Sequence, residues 1–243
     1  MSTSPLSRPR VDEPEWLDQG RGSSADVADN LDEMWRLNRW LGGLSALTRH
    51  LYPRLAAANA PCSLLDLGTG SAQMPLAIAG WARTHQVSVK LIGLDWASRN
   101  LAVARQRATA NHCAQISLLL ADSQHPPLPE RAVDFVISSL FLHHFAPVAV
   151  VDLLRAGYGL ARRTLIMSDL VRGVWPGLAF GLVQPVLARH PLTRHDGRLS
   201  IRRAYTPAEL RALAAAAGLT NARVYAHPLW RMTLVADRPA EHA

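Results

Sequence analysis

The feature that most constrains this chain is Leu64-Leu65-Asp66-Leu67-Gly68-Thr69-Gly70-Ser71-Ala72, an apolar run that ends in an acid, passes two glycines and enters a helical pattern. Glycines let the backbone turn tightly and approach a ligand closely. The helix N-terminus behind such a turn favours anionic groups and hydrogen-bond acceptors. A Gly-x-Gly alone says little, but this one heads an alternating series. The runs Ser63–Leu67, Val87–Leu94, Ile116–Ala121, Ala132–Ser138 and Thr164–Ser168 read as strands. Between them Ala72–Arg83, Ser98–Ala110 and Pro147–Leu160 carry helical periodicity, with Ser98 as the expected N-cap of its helix. Strands alternating with helices predict an α/β fold with a doubly wound, mostly parallel sheet. Right-handed crossovers then put all strand C-termini on one edge, the edge where such sheets bind ligands. Asp66, Asp95, Asp122, Ser138 and Asp169 fall there.

Three segments follow along the chain. Residues 1–25 hold Pro, Ser, Gly and acids without periodicity and are expected to form a flexible arm. Residues 26–58 read as an N-terminal helical segment, with Leu31, Met34, Trp35, Leu37, Trp40, Leu41, Leu44, Leu47 and Leu51 at helical spacing and a break at Gly42-Gly43. Residues 59–243 form the ligand-binding domain, with an insertion at 171–203 that should lie over the ligand edge as a lid. Thr206–Ala217 reads as a helix with a Thr206/Glu209 capping box and Gly218 just past its end. Ala222–Ala226 and Arg231–Ala236 close the fold as a hairpin around His227-Pro228, which brings the strand count to seven.

Composition narrows the class. Of 243 residues 49% are apolar and 19% charged, which excludes a largely disordered chain. Cys62 and Cys113 lack metal-ligand spacing, and no acidic or His cluster has it either, so neither a disulfide framework nor a metal is expected. No apolar run is long enough for a membrane span, and Met1–Arg10 has no apolar signal core, so a cytoplasmic location is expected. The net charge is +7, yet residues 1–34 hold three Arg against eight acids, a net of −5 that leaves +12 on the rest. Basic charge invites nucleic acid or an anionic membrane surface as partner. No run of adjacent basics or aromatic-basic interleaving appears, so the charge reads first as a solvated surface and nucleic acid as an unlikely partner.

The strand-end residues restrict the ligand. A dinucleotide fingerprint would need Gly or Ala where Gln73 stands, and no phosphate-binding P-loop is present. Asp95, 23 residues past the turn, can accept both hydroxyls of a ribose. Ala121-Asp122-Ser123 suits an adenine amino group. Acids at three strand ends would repel a polyphosphate and suit a neutral or cationic nucleoside.

With these residues the chain resembles the class I S-adenosylmethionine-dependent methyltransferases, over about residues 60–170 and the C-terminal strands. The Asp66–Ala72 turn, Asp95, the Ala121-Asp122 step and Asp134-Phe135-Val136-Ile137-Ser138-Ser139 carry the resemblance. Leu142-His143-His144-Phe145 is similar to the small-molecule branch with the quinone and polyketide methyltransferases. The family's Gly-x-Gly-x-Gly ends here in Ala72, where a positive φ would be strained. The resemblance implies a Rossmann-like sheet and S-adenosyl-L-methionine as cofactor. Asp66 and the backbone of Gly68, Thr69, Gly70 and Ser71 would face its methionine part. Asp95 would bind the ribose, Trp96 would lie beside the adenine, and Asp122 and Ser123 would contact the base, with Ser138 on the same side. Core packing for Trp96 and helix capping for Asp95 are the structural alternatives.

Methyl transfer is an in-line displacement, so the protein chiefly aligns the nucleophile and excludes water. A phenol nucleophile needs a base near neutral pH, for which His143 and His144 are candidates and His195 a further one. Asp169 would either accept a hydrogen bond from the substrate or pair with Arg172. Arg194 and Arg202 would grip a carboxylate, phenolate or phosphate, unless the patch is structural. Trp175 and Phe180 would roof an aromatic acceptor, unless Val174–Leu187 is an ordinary packed helix. The Trp35–Trp40 face would close the pocket, join the core or form a homodimer contact. The expected reaction is O-methylation, or next C-methylation, of a hydroxylated aromatic of secondary metabolism: a polyketide, phenolic lipid or quinone precursor. An RNA methyltransferase is the alternative that a pI near 10.4 favours. Against it, no RNA-binding module is appended, and Ser138-Ser139-Leu140-Phe141 stands in place of an Asn-Pro-Pro-Tyr-like motif. A catalytically silent cofactor-binding protein is the other.

Overall fold

The apolar alternation builds one sheet with helices on both faces. A computed structural model describes residues 9–58, 60–113 and 116–239. Its elements are α1 (Ser24–Trp40), α2 (Gly43–Ala56), β1 (Cys62–Leu67), α3 (Gln73–Thr84), β2 (Val89–Asp95), α4 (Ser98–Ala110), β3 (Ile116–Leu120), β4 (Val133–Ser139), α5 (Pro147–Leu160), β5 (Ala161–Leu170), α6 (Val174–Leu187), α7 (Pro191–Arg203), α8 (Pro207–Ala216), β6 (Arg223–His227) and β7 (Arg231–Asp237). A single 3₁₀ turn, Leu142–His144, follows β4. The strand order is β3-β2-β1-β4-β5-β7-β6. β1 to β5 run parallel, and β7 enters antiparallel between β5 and β6. The order reverses between β1 and β4, which opens a crevice beyond their C-termini.

Alternation along β1 feeds both cores. Leu64 packs with Leu47, Leu51, Ile78, Phe135 and Ile166 beneath α2 and α3. Leu65 and Leu67 pack with Val136, Leu153, Leu154 and Leu165 beneath α5 and α8. These leucines are fully buried, each contributing about 1.5–3 kcal/mol of transfer free energy. Gly42 takes φ 79° between α1 and α2, and a Cβ on Gly43 would fall 1.7 Å from Asn38 Oδ1, so both glycines of the expected break are required. Among the described residues no helix is long and apolar enough to cross a membrane.

The structure corrects three local expectations. The N-cap of α4 is Ala97, not Ser98, because the Asp95 carboxylate accepts the Ala97 amide at 2.9 Å and fixes the helix start. β5 extends three residues earlier than its apolar run, through Arg162 and Arg163, whose guanidinium groups turn to Asp134. The described part of the expected arm, from residue 9 onward, is docked. The amides of Trp16 and Leu17 donate to Asp196, and Arg10 donates to the carbonyls of Arg203, His143 and Phe145. Its acids find cations on the domain, a match that hydrophobic periodicity does not register.

The insertion at 171–203 folds into the helices α6 and α7. They meet where Gly197 of α7 faces Phe180 of α6: a Cβ on Gly197 would lie 2.4 Å from the ring. The outer face of α6 leaves Trp175, Leu178, Leu182 and Val186 exposed. Gly197→Ala should gain about 1 kcal/mol of helix propensity. The clash with Phe180 outweighs that gain, so the melting temperature should fall; a rise on thermal unfolding would show that the close approach is dispensable.

Candidate functional site

A cavity of about 430 Å³ opens at the C-terminal edge of β1, β2 and β4. Its floor is the turn after β1, where Gly68, Gly70 and Ala72 take φ 69°, 55° and 58°. The strain expected at Ala72 is therefore present, at a cost of about 1–2 kcal/mol. The turn is tied on both sides. The Thr69 amide donates to Leu94 O, its hydroxyl to Asp66 Oδ2 at 2.8 Å, and the Gly70 amide to Asp95 Oδ2 at 2.8 Å. A Cβ on Gly68 would meet the Phe141 ring at 2.3 Å, so the glycine admits that ring.

Carboxylates dominate the cavity: Glu15, Asp18, Asp66, Asp95 and Asp196 line it. Burial raises Asp66 to about 7, the Thr69 hydroxyl opposing and the Asp95 charge adding to the rise. Burial likewise raises Asp95, against hydrogen bonds from Ala97, Gly70 and Asn100. Those bonds take three of the roughly four lone-pair sites of Asp95 and leave about one open. Trp96 is 64% exposed beside it, which rules out core packing for this ring. Asn100 Oδ1 is buried without a partner.

The 3₁₀ turn brings both histidines of Leu142-His143-His144-Phe145 to the wall. His143 is buried, with Nδ1 2.7 Å from Asp169 Oδ1 and its amide on Asp169 Oδ2. Burial would raise the Asp169 pKa, but His143 and two amides outweigh it and hold the carboxyl below its usual range. An ionised carboxylate only accepts, so Nδ1 carries the proton that Asp169 takes, and Nε2 lies 3.6 Å from Glu15 Oε1. His144 places Nδ1 2.9 Å from Asp18 Oδ2 and Nε2 4.0 Å from Glu15. Burial alone would lower the His144 pKa, but the carboxylates of Glu15 and Asp18 raise it to about 9. The ligand atoms of Glu15, His143 and His144 lie within 4.8 Å of one another, close enough to hold a divalent cation. With His144 protonated the same groups form a closed ion-pair network.

The other residues expected at the site are elsewhere. Asp122 is exposed and turned back on its own loop, accepting from the Gln124 amide and His125, and neither it nor buried Ser123 lines the cavity. The Ser138 hydroxyl donates to Leu67 O below the cavity. Asp169 bonds His143 rather than Arg172, whose guanidinium reaches Glu209 and Ala204 O. His195 stacks on Trp16 at 3.9 Å and bonds Asp196, outside the lining. Arg194 donates to Ala188 O at the end of α6, and Arg202 is exposed. Trp175 faces outward, and buried Phe180 lines a second cavity.

Sequence reading missed Glu15, Asp18, Asn100, Phe141 and Arg203. Arg203 Nε donates to His143 O, Nη1 to Glu13 O and Nη2 to His144 O. Asp196, Ser200 and Arg203 lie at i, i+4 and i+7 along α7, a spacing that marks one buried face once the segment is taken as a helix.

Sequence and structure comparisons agree on what this architecture is. Residues 64–163 match the family described as methyltransferase domain. No curated protein matches in sequence. Among solved structures, a S-adenosylmethionine-dependent methyltransferase from Aquifex aeolicus is 14% identical with a TM-score of 0.60, over 89% of this chain and 99% of that one. PigF with SAH is 18% identical with a TM-score of 0.68, over 93% of this chain but 63% of that one. Magnesium protoporphyrin IX methyltransferase from Synechocystis, with bound SAH, is 17% identical with a TM-score of 0.57, over 82% and 84%. At such identities the structures speak for the fold. Residues 64–163 thus match a methyltransferase domain, the chain shares the fold of these methyltransferases, and S-adenosylmethionine is the cofactor that such a domain implies. The residues present fit that cofactor: an acidic cavity for its cationic end, an open lone pair on Asp95 for a ribose hydroxyl, and the unpartnered Asn100 Oδ1 for a donor.

The raised pKa of His144 stabilises the fold below the unfolded value near 6.5, and that contribution is lost as pH rises through about 9. A nuclear magnetic resonance titration should place His144 near that value, and Glu15→Gln should lower it. The melting temperature should drop between pH 7 and 9, less so in the variant. A midpoint that Glu15→Gln leaves in place would show that Glu15 does not hold the charge.

Proposed function

We propose that this methyltransferase transfers a methyl group to the hydroxyl of a small aromatic acceptor, with His143 as the base. The buried His143–Asp169 pair on the wall of the acidic cavity carries this reading. When bound, S-adenosylmethionine supplies an electrophilic methyl on sulfur. The remaining work is the protein's. Asp66 would hold the cofactor's ammonium group, the backbone of Gly68–Ser71 its methionine part, Asp95 a ribose hydroxyl and Trp96 the adenine. Asn100 takes over the adenine contact first assigned to Asp122 and Ser123.

His143 Nε2 accepts the phenol proton, and Asp169 stabilises the imidazolium that results. His144 is charged at neutral pH and serves as a cation toward the developing phenolate rather than as a base. Glu15 and Asp18 of the docked arm hold that cation and cover the cavity from solvent. A general base favours oxygen over carbon as the nucleophile, because the phenol proton is the one that must leave. The acidic cavity weighs against an RNA acceptor, since phosphates would meet five carboxylates there.

Methyl-labelled S-adenosylmethionine incubated with source extract should place label in the organic-soluble fraction; label in RNA would overturn the small-molecule reading. His143→Ala should lower kcat by about 10²–10⁴-fold with cofactor affinity unchanged; full turnover would remove its role.

Asp95→Ala should weaken cofactor binding at least about tenfold, the worth of one charged hydrogen bond. Calorimetry should also find binding tightening as pH rises through about 7, where Asp66 loses its proton. The ionised carboxylate attracts the ammonium group and the neutral acid does not. Asp66→Asn should flatten that dependence, and an affinity equal at pH 6 and 8 in the parent would exclude Asp66.

A further inference from the structure

The second cavity, about 150 Å³, lies between the insertion and the end of β5, and Leu37, Leu41, Leu170, Phe180, Val183 and Ile201 give it an apolar wall. One cation enters that wall. Arg231 is 3% exposed; its Nε donates to Leu41 O at 3.0 Å, and its Nη1 is buried without a partner. Among the described residues no carboxylate lies within ion-pair distance of it. Burial pulls its pKa down to about 10, with Asp169 opposing, so it stays charged at neutral pH. A buried charge left unpaired costs several kcal/mol, and an apolar side chain of similar volume would serve packing better.

The turn that delivers Arg231 is strained as well. Leu229 and Trp230 take φ 57° and 52°, two successive left-handed residues without glycine, and both line the same cavity. Strain and an unanswered donor at one place point to a ligand. The two cavities share Met34, Asn38 and Leu140 on their walls, so one molecule can reach from the second toward His143. A cavity of this volume accommodates a benzene ring.

Building on the methyl-acceptor reading above, we infer that the acceptor's ring occupies the second cavity and that Arg231 receives a carboxylate borne by it, which makes the acceptor a hydroxylated aromatic acid. The guanidinium fork matches a carboxylate in two parallel bonds. A phosphate dianion would bring twice the charge to a single cation in apolar walls. Phe180, expected to roof the acceptor, then does so from this cavity. Arg231 takes the acid-binding role that sequence reading gave to Arg194 and Arg202.

The test is equilibrium binding to the full chain saturated with S-adenosylhomocysteine, with 4-hydroxyphenylacetate and its neutral amide as probes. The acid should bind about tenfold tighter or more, the worth of a charged hydrogen bond. Arg231→Gln should abolish that preference and Arg231→Lys keep part of it. Equal affinity for acid and amide, no binding of either up to millimolar concentration, or a preference that survives Arg231→Gln would overturn the inference. Should Arg231→Gln fail to fold, the comparison of acid with amide in the parent chain still decides. No methyl transfer is needed for this readout, so its failure leaves the O-methylation reading standing, and lost turnover with intact acid preference does the reverse.

Discussion

Arg203 joins three parts of the molecule that are far apart in sequence. Its guanidinium, buried on α7, donates to the carbonyls of both histidines and to Glu13 of the arm. Bonds from a charged donor are worth about 1.5–3 kcal/mol each, enough to set the relative positions of lid, histidine turn and arm. The placement of His143 on Asp169, of His144 on Asp18 and of Glu15 between the two histidines depends on that anchor. Arg10 repeats the device from the arm, with bonds to Arg203 O, His143 O and Phe145 O and its guanidinium over the Tyr205 ring.

The part of the fold that hydrophobic period dictates was legible in the sequence. Strand and helix limits from Ser63 to Leu160 differ from the structure by a residue or two, and the Thr206/Glu209 capping box and the left-handed Gly218 stand where turn chemistry puts them. The acids Asp66 and Asp95 were legible for the same reason, since parallel strands must release them at one edge. The misses are long-range polar pairings. Glu15 meets Ser200 185 positions away, and Asp169 meets His143 through a turn that breaks the helix–strand rhythm. No local pattern encodes such contacts. Asp122 failed differently: its position at a strand end was right, but its own loop offers the Gln124 amide two residues on, and the side chain takes the nearer donor.

The overall charge of +7 misleads because the site has the opposite sign. Arginine coats the surface, while five carboxylates gather in the first cavity around a buried Arg203 and a protonated His144. A sulfonium-bearing cofactor is drawn into such a place and a polyphosphate is not. In the second cavity the balance reverses, with one cation in apolar walls. The end of β5 serves both, since Asp169 holds His143 and the next residue, Leu170, lines the second cavity and pairs in register with Arg231.

That shared strand end gives the two cavities one chemistry. An acceptor whose acid lies on Arg231 has its ring fixed before its hydroxyl meets His143, and alignment of this kind is the main service a protein performs in a displacement whose electrophile is already activated. Asp169 has to be ionised to hold the Nδ1 proton, and the Arg231 charge beyond it favours that state, while Asp169 in turn opposes the fall of the Arg231 pKa. A carboxylate on Arg231 would leave Asp169 held by three bonds, from the His143 ring nitrogen, the His143 amide and the Leu170 amide. The anion that answers Arg231 therefore has to come with the ligand, because the nearest acid in the fold is already committed to the base.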